Sequence, residues 1–274
     1  MLKFILPNFF ELSSLNDRLI HIYSSHKEFF NDEYFFMGQE GSLPFHSWNG
    51  GKMNTLSYHN VKVKEQIEEI FHKLDWNLIL YNCANPFLLK SDIYDVQENT
   101  VLKTIQNGSN LLITSTTEFT EYLMQIYPQF RFVASEDYAL YEDNVKKELF
   151  KYFKCSYKNL SEDFYKDIPK SKIIINISST CLSCENYLKC RAEEQQRQLC
   201  FMETSKFLSC NECKFSILSY EDIEMYNKQG YNMFCMDTHG LDLNSFRIIP
   251  IYLNLFIKDE YRNIADLMLR RIVS

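Results

Sequence analysis

The residues best equipped for chemistry are the cysteines, and six of the chain's nine lie between Cys181 and Cys213. The first pair, Cys181 and Cys184, and the last, Cys210 and Cys213, both have C-x-x-C spacing. Two intervening residues let two thiolates turn toward one metal ion, and a second such pair completes a four-sulfur site. That donor set suits a 4Fe-4S cluster or zinc. The stretch between the pairs exceeds the ~15–20 residues usual in a zinc ribbon, which favours the cluster. Cys190 and Cys200 compete as ligands, and each is a candidate to replace one member of the second pair. The competing explanation is a set of small buried thiols, but two C-x-x-C pairs rarely arise from packing alone.

Other candidate groups follow strand-like runs. His46 is a candidate acid–base group, with Trp48 and Asn49 beside it as substrate contacts and Gly50 and Gly51 closing the loop. Trp48 either stacks on a planar substrate or plugs the mouth of the fold. Asn82 sits in a turn after the third strand and Glu136 after the fifth, both as candidate substrate-binding groups. Glu136 with Asp137 reads equally as a solvated helix start, where carboxylates are favoured. Asp237 and His239 form a candidate catalytic pair after the last strand, against the alternative of an exposed loop histidine. Cys83 reads as a core thiol at a strand end, against the alternative of a site thiol or remote ligand, Cys155 as a core thiol, and Cys235 as a candidate further ligand.

Eight short β-like runs alternate with helical patterns. The strands are expected near Lys3–Pro7, Tyr34–Gly38, Asn77–Tyr81, Asn110–Thr114, Arg131–Ser135, Lys154–Tyr157, Lys172–Ile177 and Met233–Asp237. Helical spacing of apolar residues marks 62–76, 95–106, 117–126, 144–153, 220–229, 246–256 and 259–272, and a first helix carries Ser14 as its expected N-cap. This alternation predicts a parallel sheet closed into a (β/α)8 TIM-like barrel, with an open doubly wound sheet as the alternative. The expected organisation is one domain over 1–274, with a cysteine-rich metal-binding insertion over 178–219 after strand seven. In such a barrel, function belongs to the loops that follow the strands.

The totals narrow the classes. A chain of 274 residues, 46% hydrophobic and 15% aromatic, can bury a large core. A net charge of −7 argues against nucleic acid as a partner. No apolar run approaches the ~20 residues of a membrane span, and the stretch before Pro7 is too short for a signal peptide. The expectation is a cytoplasmic protein, where reduced cysteines favour metal binding over disulfides. The chain holds no H-E-x-x-H and no Gly-x-Ser-x-Gly, which argues against peptide hydrolysis.

Several of these segments together carry a resemblance: Gly41-Ser42-Leu43-Pro44 with Trp48-Asn49-Gly50-Gly51, the asparagine turn at Asn82, and the strand-to-cysteine run from Ile175 to Cys184. The chain resembles bacterial TIM-barrel proteins similar to the collagenase-like peptidase family, which includes iron–sulfur hydroxylase-type proteins of ubiquinone biosynthesis and RNA hydroxylation. The resemblance implies a 4Fe-4S cluster on Cys181, Cys184 and their partners. It also implies a redox or hydroxylase-type enzyme acting on a small molecule or biosynthetic intermediate, served by an electron donor or partner subunit. The alternative is a non-catalytic binding protein whose zinc or iron–sulfur site is structural. The family's final strand commonly ends in a Phe-Lys-Ile-Glu-Gly-Arg-like motif. Here Phe234-Cys235-Met236-Asp237-Thr238-His239-Gly240 stands instead, so its Lys, Glu and Arg are unmatched.

Overall fold

Runs rich in β-branched and aromatic residues form strands where both faces can be buried. In this computed structural model the described residues are 1–9, 12–42, 48, 78–85, 88, 92–138, 146–179, 216–236 and 245–271. Eight parallel strands are β1 (Leu2–Leu6), β2 (Tyr34–Gly41), β3 (Ile79–Cys83), β4 (Leu111–Thr114), β5 (Arg131–Ala134), β6 (Phe150–Ser156), β7 (Ile173–Asn176) and, after a small ribbon, β10 (Met233–Cys235). They close in the order β1-β10-β7-β6-β5-β4-β3-β2. Helices at Ser13–Ser25, Val96–Ile105, Thr117–Ile126, Tyr220–Lys228, Ser245–Phe256 and Arg262–Arg270 accompany the strands. This is a TIM-like barrel. Among the described residues, no helix is long and apolar enough to cross a membrane.

Alternation along each strand sorts side chains into two cores. Ile5, Leu80, Leu111, Ile113, Val133, Ile174, Met233 and Cys235 fill the barrel interior. Their neighbours Phe4, Tyr81, Leu112, Phe132, Phe153, Ile175 and Phe234 face outward into the shell shared with the helices. Each fully buried Ile, Leu or Phe contributes roughly 1.5–3 kcal/mol. At the shell's edge Asn16 ties four segments together. Its Nδ2 donates to the Pro7 carbonyl (2.9 Å) and to Gln39 Oε1 (2.6 Å), and its Oδ1 accepts from the Tyr252 hydroxyl (2.6 Å). Close approach also constrains Gly38, where an added Cβ would overlap the Leu78 carbonyl, whose carbon lies 2.7 Å away.

Four local expectations change. The third strand runs over Ile79–Cys83 and not Asn77–Tyr81, so Asn82 pairs with Ile113 within it and is not in a turn after it. The second strand does not end at Gly38 but runs through Gly41. Gln39, Glu40 and Gly41 pair with Ile79, Leu80 and Tyr81, so ladder bonding outweighs the polar composition of these residues. The helix expected over 144–153 is, in its described part, a 3-10 turn at Lys147–Leu149 followed by β6. There Phe150 and Phe153 face the helices while Tyr152 and Lys154 face the barrel, and aromatic packing wins over helical spacing. The first helix starts at Ser13 with Leu12 at its cap position, and Ser14 lies inside it. The Leu12 N–H donates to the Asn8 carbonyl (2.9 Å). The helix expected over 62–76 lies outside the described residues.

After β7 the chain forms a short antiparallel ribbon, β8 (Ser178–Ser179) with β9 (Ser216–Ile217). Ser178 pairs with Ile217 and Ser179 with Ser216. Ile177 joins the ribbon to the barrel, its N–H donating to the Cys235 carbonyl while its own carbonyl accepts from Leu218 N, both at 2.9 Å. Residues 180–215 lie between the ribbon strands and outside the described residues.

Candidate functional site at the barrel mouth

The inward face of β2 to β7 turns polar toward its C-terminal end. Leu80 is followed on that face by Asn82, Ile113 by Ser115, Val133 by Ser135, Tyr152 by Lys154 and Ser156, and Ile174 by Asn176. On β2, Glu40 shares a register position with inward Leu80. This end of a barrel is where side chains from several strands converge.

Two charged residues meet across this layer. Lys154 on β6 and Glu40 on β2 stand four strands apart in the eight-stranded ring, on opposite walls. Lys154 Nζ donates to Glu40 Oε1 at 2.6 Å, with the two side chains 6% and 10% exposed. Asn82 Nδ2 lies 3.5 Å from the same oxygen. Among the described residues, Glu40 Oε2 is buried without a hydrogen-bond partner, as is Ser42 Oγ two residues on. The Ser115 and Ser135 hydroxyls share a 2.7 Å hydrogen bond. Asn176 Nδ2 donates to Glu136 Oε1 at 2.7 Å, which brings the Glu136 carboxylate to the mouth.

The asparagines are oriented locally. Asn82 Oδ1 accepts from Ala84 N (3.0 Å), and Asn176 Oδ1 accepts from Ser178 N (3.2 Å) and Ser178 Oγ (3.0 Å). An asparagine that catches the backbone two residues on makes an Asx turn and fixes its amide. With the oxygen committed, Nδ2 is the end presented to a neighbouring carboxylate. Together these groups offer donors and acceptors that can orient a small polar molecule, and an amine and carboxylates that can move protons.

Of the residues singled out from the sequence, Asn82 and Glu136 are at this mouth. Trp48 is fully buried and meets Phe119 edge-on, centroids 5.2 Å apart, in the shell between strands and helices. His46, Asn49, Asp237 and His239 lie outside the described residues, as do Cys181, Cys184, Cys190, Cys200, Cys210 and Cys213. Among the described residues, no three His, Cys, Asp or Glu side chains converge on a point that could hold a metal. Cys235 faces the barrel interior. Cys83 and Cys155 are buried in the shell. Burial pushes the Cys83 thiol up, assisted by the nearby Glu98 charge, and burial with the Glu136 charge does the same for Cys155. Both are held as thiols, poor nucleophiles and poor ligands.

Glu40, Lys154 and Asn176 were not singled out. Glu40 lies past the strand expected over Tyr34–Gly38 and carries no strand signal of its own. Lys154 and Asn176 carry a signal in retrospect: each is a polar residue that shares the inward face of its strand with an apolar one, Tyr152 for Lys154 and Ile174 for Asn176.

Fold and site define a TIM-like barrel with a polar, charge-bearing mouth. No protein-family model, curated protein or solved structure matches this chain.

Proposed function

We propose that the chain is an iron–sulfur enzyme of redox or hydroxylase type, acting on a small polar molecule bound at the barrel mouth. Cys181, Cys184, Cys210 and Cys213 would hold a 4Fe-4S cluster, with Cys190 or Cys200 as alternates. The carrying observation is the ribbon Ser178–Ser179 with Ser216–Ile217. It fastens both ends of the cysteine-containing segment together beside the C-terminal end of β7. Joining the ends of a long loop removes most of the entropic cost of bringing its first and last residues to one centre. The donor set fits the group, since thiolates in C-x-x-C pairs are the usual ligands of such clusters.

When bound, the cluster supplies electron transfer or Lewis acidity. The chain's own residues bind and orient substrate: the Asn82 and Asn176 amides, the paired Ser115 and Ser135 hydroxyls, and the Glu136 carboxylate. His46 and the Asp237–His239 pair belong to the segments after β2 and β10 and are the proposed proton-transfer groups, with Asn49 beside His46 as a substrate contact. An external electron donor or partner subunit completes the redox cycle.

Anaerobic purification followed by visible spectroscopy tests this reading. A brown protein whose broad visible absorption bleaches with dithionite supports it. A colourless protein with one tightly held zinc ion overturns it in favour of a structural metal in a binding protein.

A further inference from the structure

Lys154 and Glu40 put an amine and a carboxylate inside the barrel. Withdrawing two charges from water costs several kcal/mol per ion, and apolar residues of similar volume would fill the space at no loss of stability. Neighbouring inward positions show that choice, with Ile174, Leu80 and Leu111 packed there. The pair also leaves Glu40 Oε2 buried without a hydrogen-bond partner, a strong acceptor with no donor of the described protein facing it. Beside the pair are side-chain amides and hydroxyls on the face where barrel sites form. The carboxylate in direct contact with the Lys154 ammonium can accept its proton, and the amine so freed is the nucleophile that captures carbonyl carbon.

We infer that Lys154 forms an imine with a small hydroxylated or carboxylated carbonyl compound, with Glu40 carrying the proton. Glu40 first takes a proton from the Lys154 ammonium. The amine lone pair then forms the C–N bond as the carbonyl π pair moves to oxygen, and the second amine proton passes to that oxygen. The proton held by Glu40 transfers to the resulting hydroxyl, the C–O bond breaks, and water leaves. The products are an iminium at Lys154 and a carboxylate at Glu40, so the ion pair is restored and no oxidant or reductant is consumed. Asn82 and the Ser115–Ser135 pair are placed to bind the compound's hydroxyl or carboxylate groups. This assignment is independent of the metal centre.

The test is reductive trapping on the full chain. The protein is incubated separately with pyruvate, glyoxylate and glycolaldehyde in the presence of cyanoborohydride, and adducts are located by peptide mass mapping. The expected result is a saturable adduct concentrated on the peptide carrying Lys154. Lys154→Met removes it, and Glu40→Gln slows its formation by about a hundredfold, the size of a lost acid–base group. Label spread over exposed lysines, or no adduct at Lys154 with any of the three probes, overturns the inference. The wild-type adduct map decides the matter even where a variant fails to fold. Metal-free protein is expected to label equally, so loss of the iron–sulfur reading leaves this one standing.

Discussion

Asn82 and Asn176, at the C-terminal ends of opposite strands of the barrel, are oriented in the same way. Each turns its Oδ1 back onto the backbone two residues ahead and directs its Nδ2 toward a carboxylate, Glu40 for one and Glu136 for the other. β3 and β7 lie four strands apart in the ring, so the motif appears on facing walls of one mouth. The contacts differ in strength, 2.7 Å for Asn176 and 3.5 Å for Asn82. The Asn176–Glu136 bond is therefore the one whose removal has the larger effect.

Asn176→Asp preserves shape and keeps the oxygen that accepts from Ser178, but replaces the donor facing Glu136 with a second carboxylate. Stability at neutral pH is expected to fall by about 1–3 kcal/mol, the cost of a buried acceptor left facing another. Two carboxylates at one site share a proton on acidification, so much of the loss is regained toward low pH. Urea titrations of wild type and variant at neutral and acid pH measure this. A variant as stable as wild type at neutral pH contradicts the assigned bond.

Removing either partner of the Lys154–Glu40 pair strands a buried charge. Lys154→Met and Glu40→Leu are each expected to destabilise by about 3–5 kcal/mol, and the double variant to recover most of that loss. A thermodynamic cycle of urea midpoints reads the coupling. Additive single effects would show that the two side chains do not meet in solution.

Glu98 supplies a pH signature away from the mouth. Burial raises its carboxyl from the ordinary 4.5 to about 8, offset in part by the hydrogen bond from Tyr81 and increased by the Asp95 charge. The Tyr81 hydroxyl donates to Glu98 Oε2 at 2.6 Å. Between those two pH values the folded chain keeps a proton that the unfolded chain has lost. This stabilisation is complete below about pH 4.5 and is lost as pH rises toward 8, at up to about 1.4 kcal/mol per unit. Glu98→Gln still accepts from Tyr81 and is expected to flatten that slope in denaturation curves taken from pH 5 to pH 8. An unchanged slope would assign the dependence to other groups.

The barrel was legible because its strands are short, doubly buried and separated by helices. Ile173-Ile174-Ile175 and Leu111-Leu112-Ile113 carry that pattern in their letters. What the letters hid was the end of β2 and the start of β6. Glu40 reads as loop because a carboxylate is seldom placed inside a sheet, and its partner is 114 positions away in sequence. Lys154 reads as the first residue of a strand beginning there, which gives no hint that its side chain points into the barrel. Asn82 and Glu136 were accessible because each lies at the C-terminal end of a strand run, Asn82 within β3 and Glu136 just past β5, which in a parallel barrel is enough to place a residue at the mouth. Trp48 resisted the same logic, since its indole packs on Phe119 in the outer shell.

The central claim is the proposal that the cysteines of the segment after β7 hold an iron–sulfur centre. Iron and acid-labile sulfide, measured per chain in anaerobically prepared wild type and in the Cys181→Ser/Cys184→Ser double variant, test it most directly. The account predicts iron and sulfide in matched, cluster-like amounts in wild type and their loss in the variant with the barrel's circular dichroism retained. Wild-type protein without sulfide, or a double variant with its iron and sulfide intact, would contradict it.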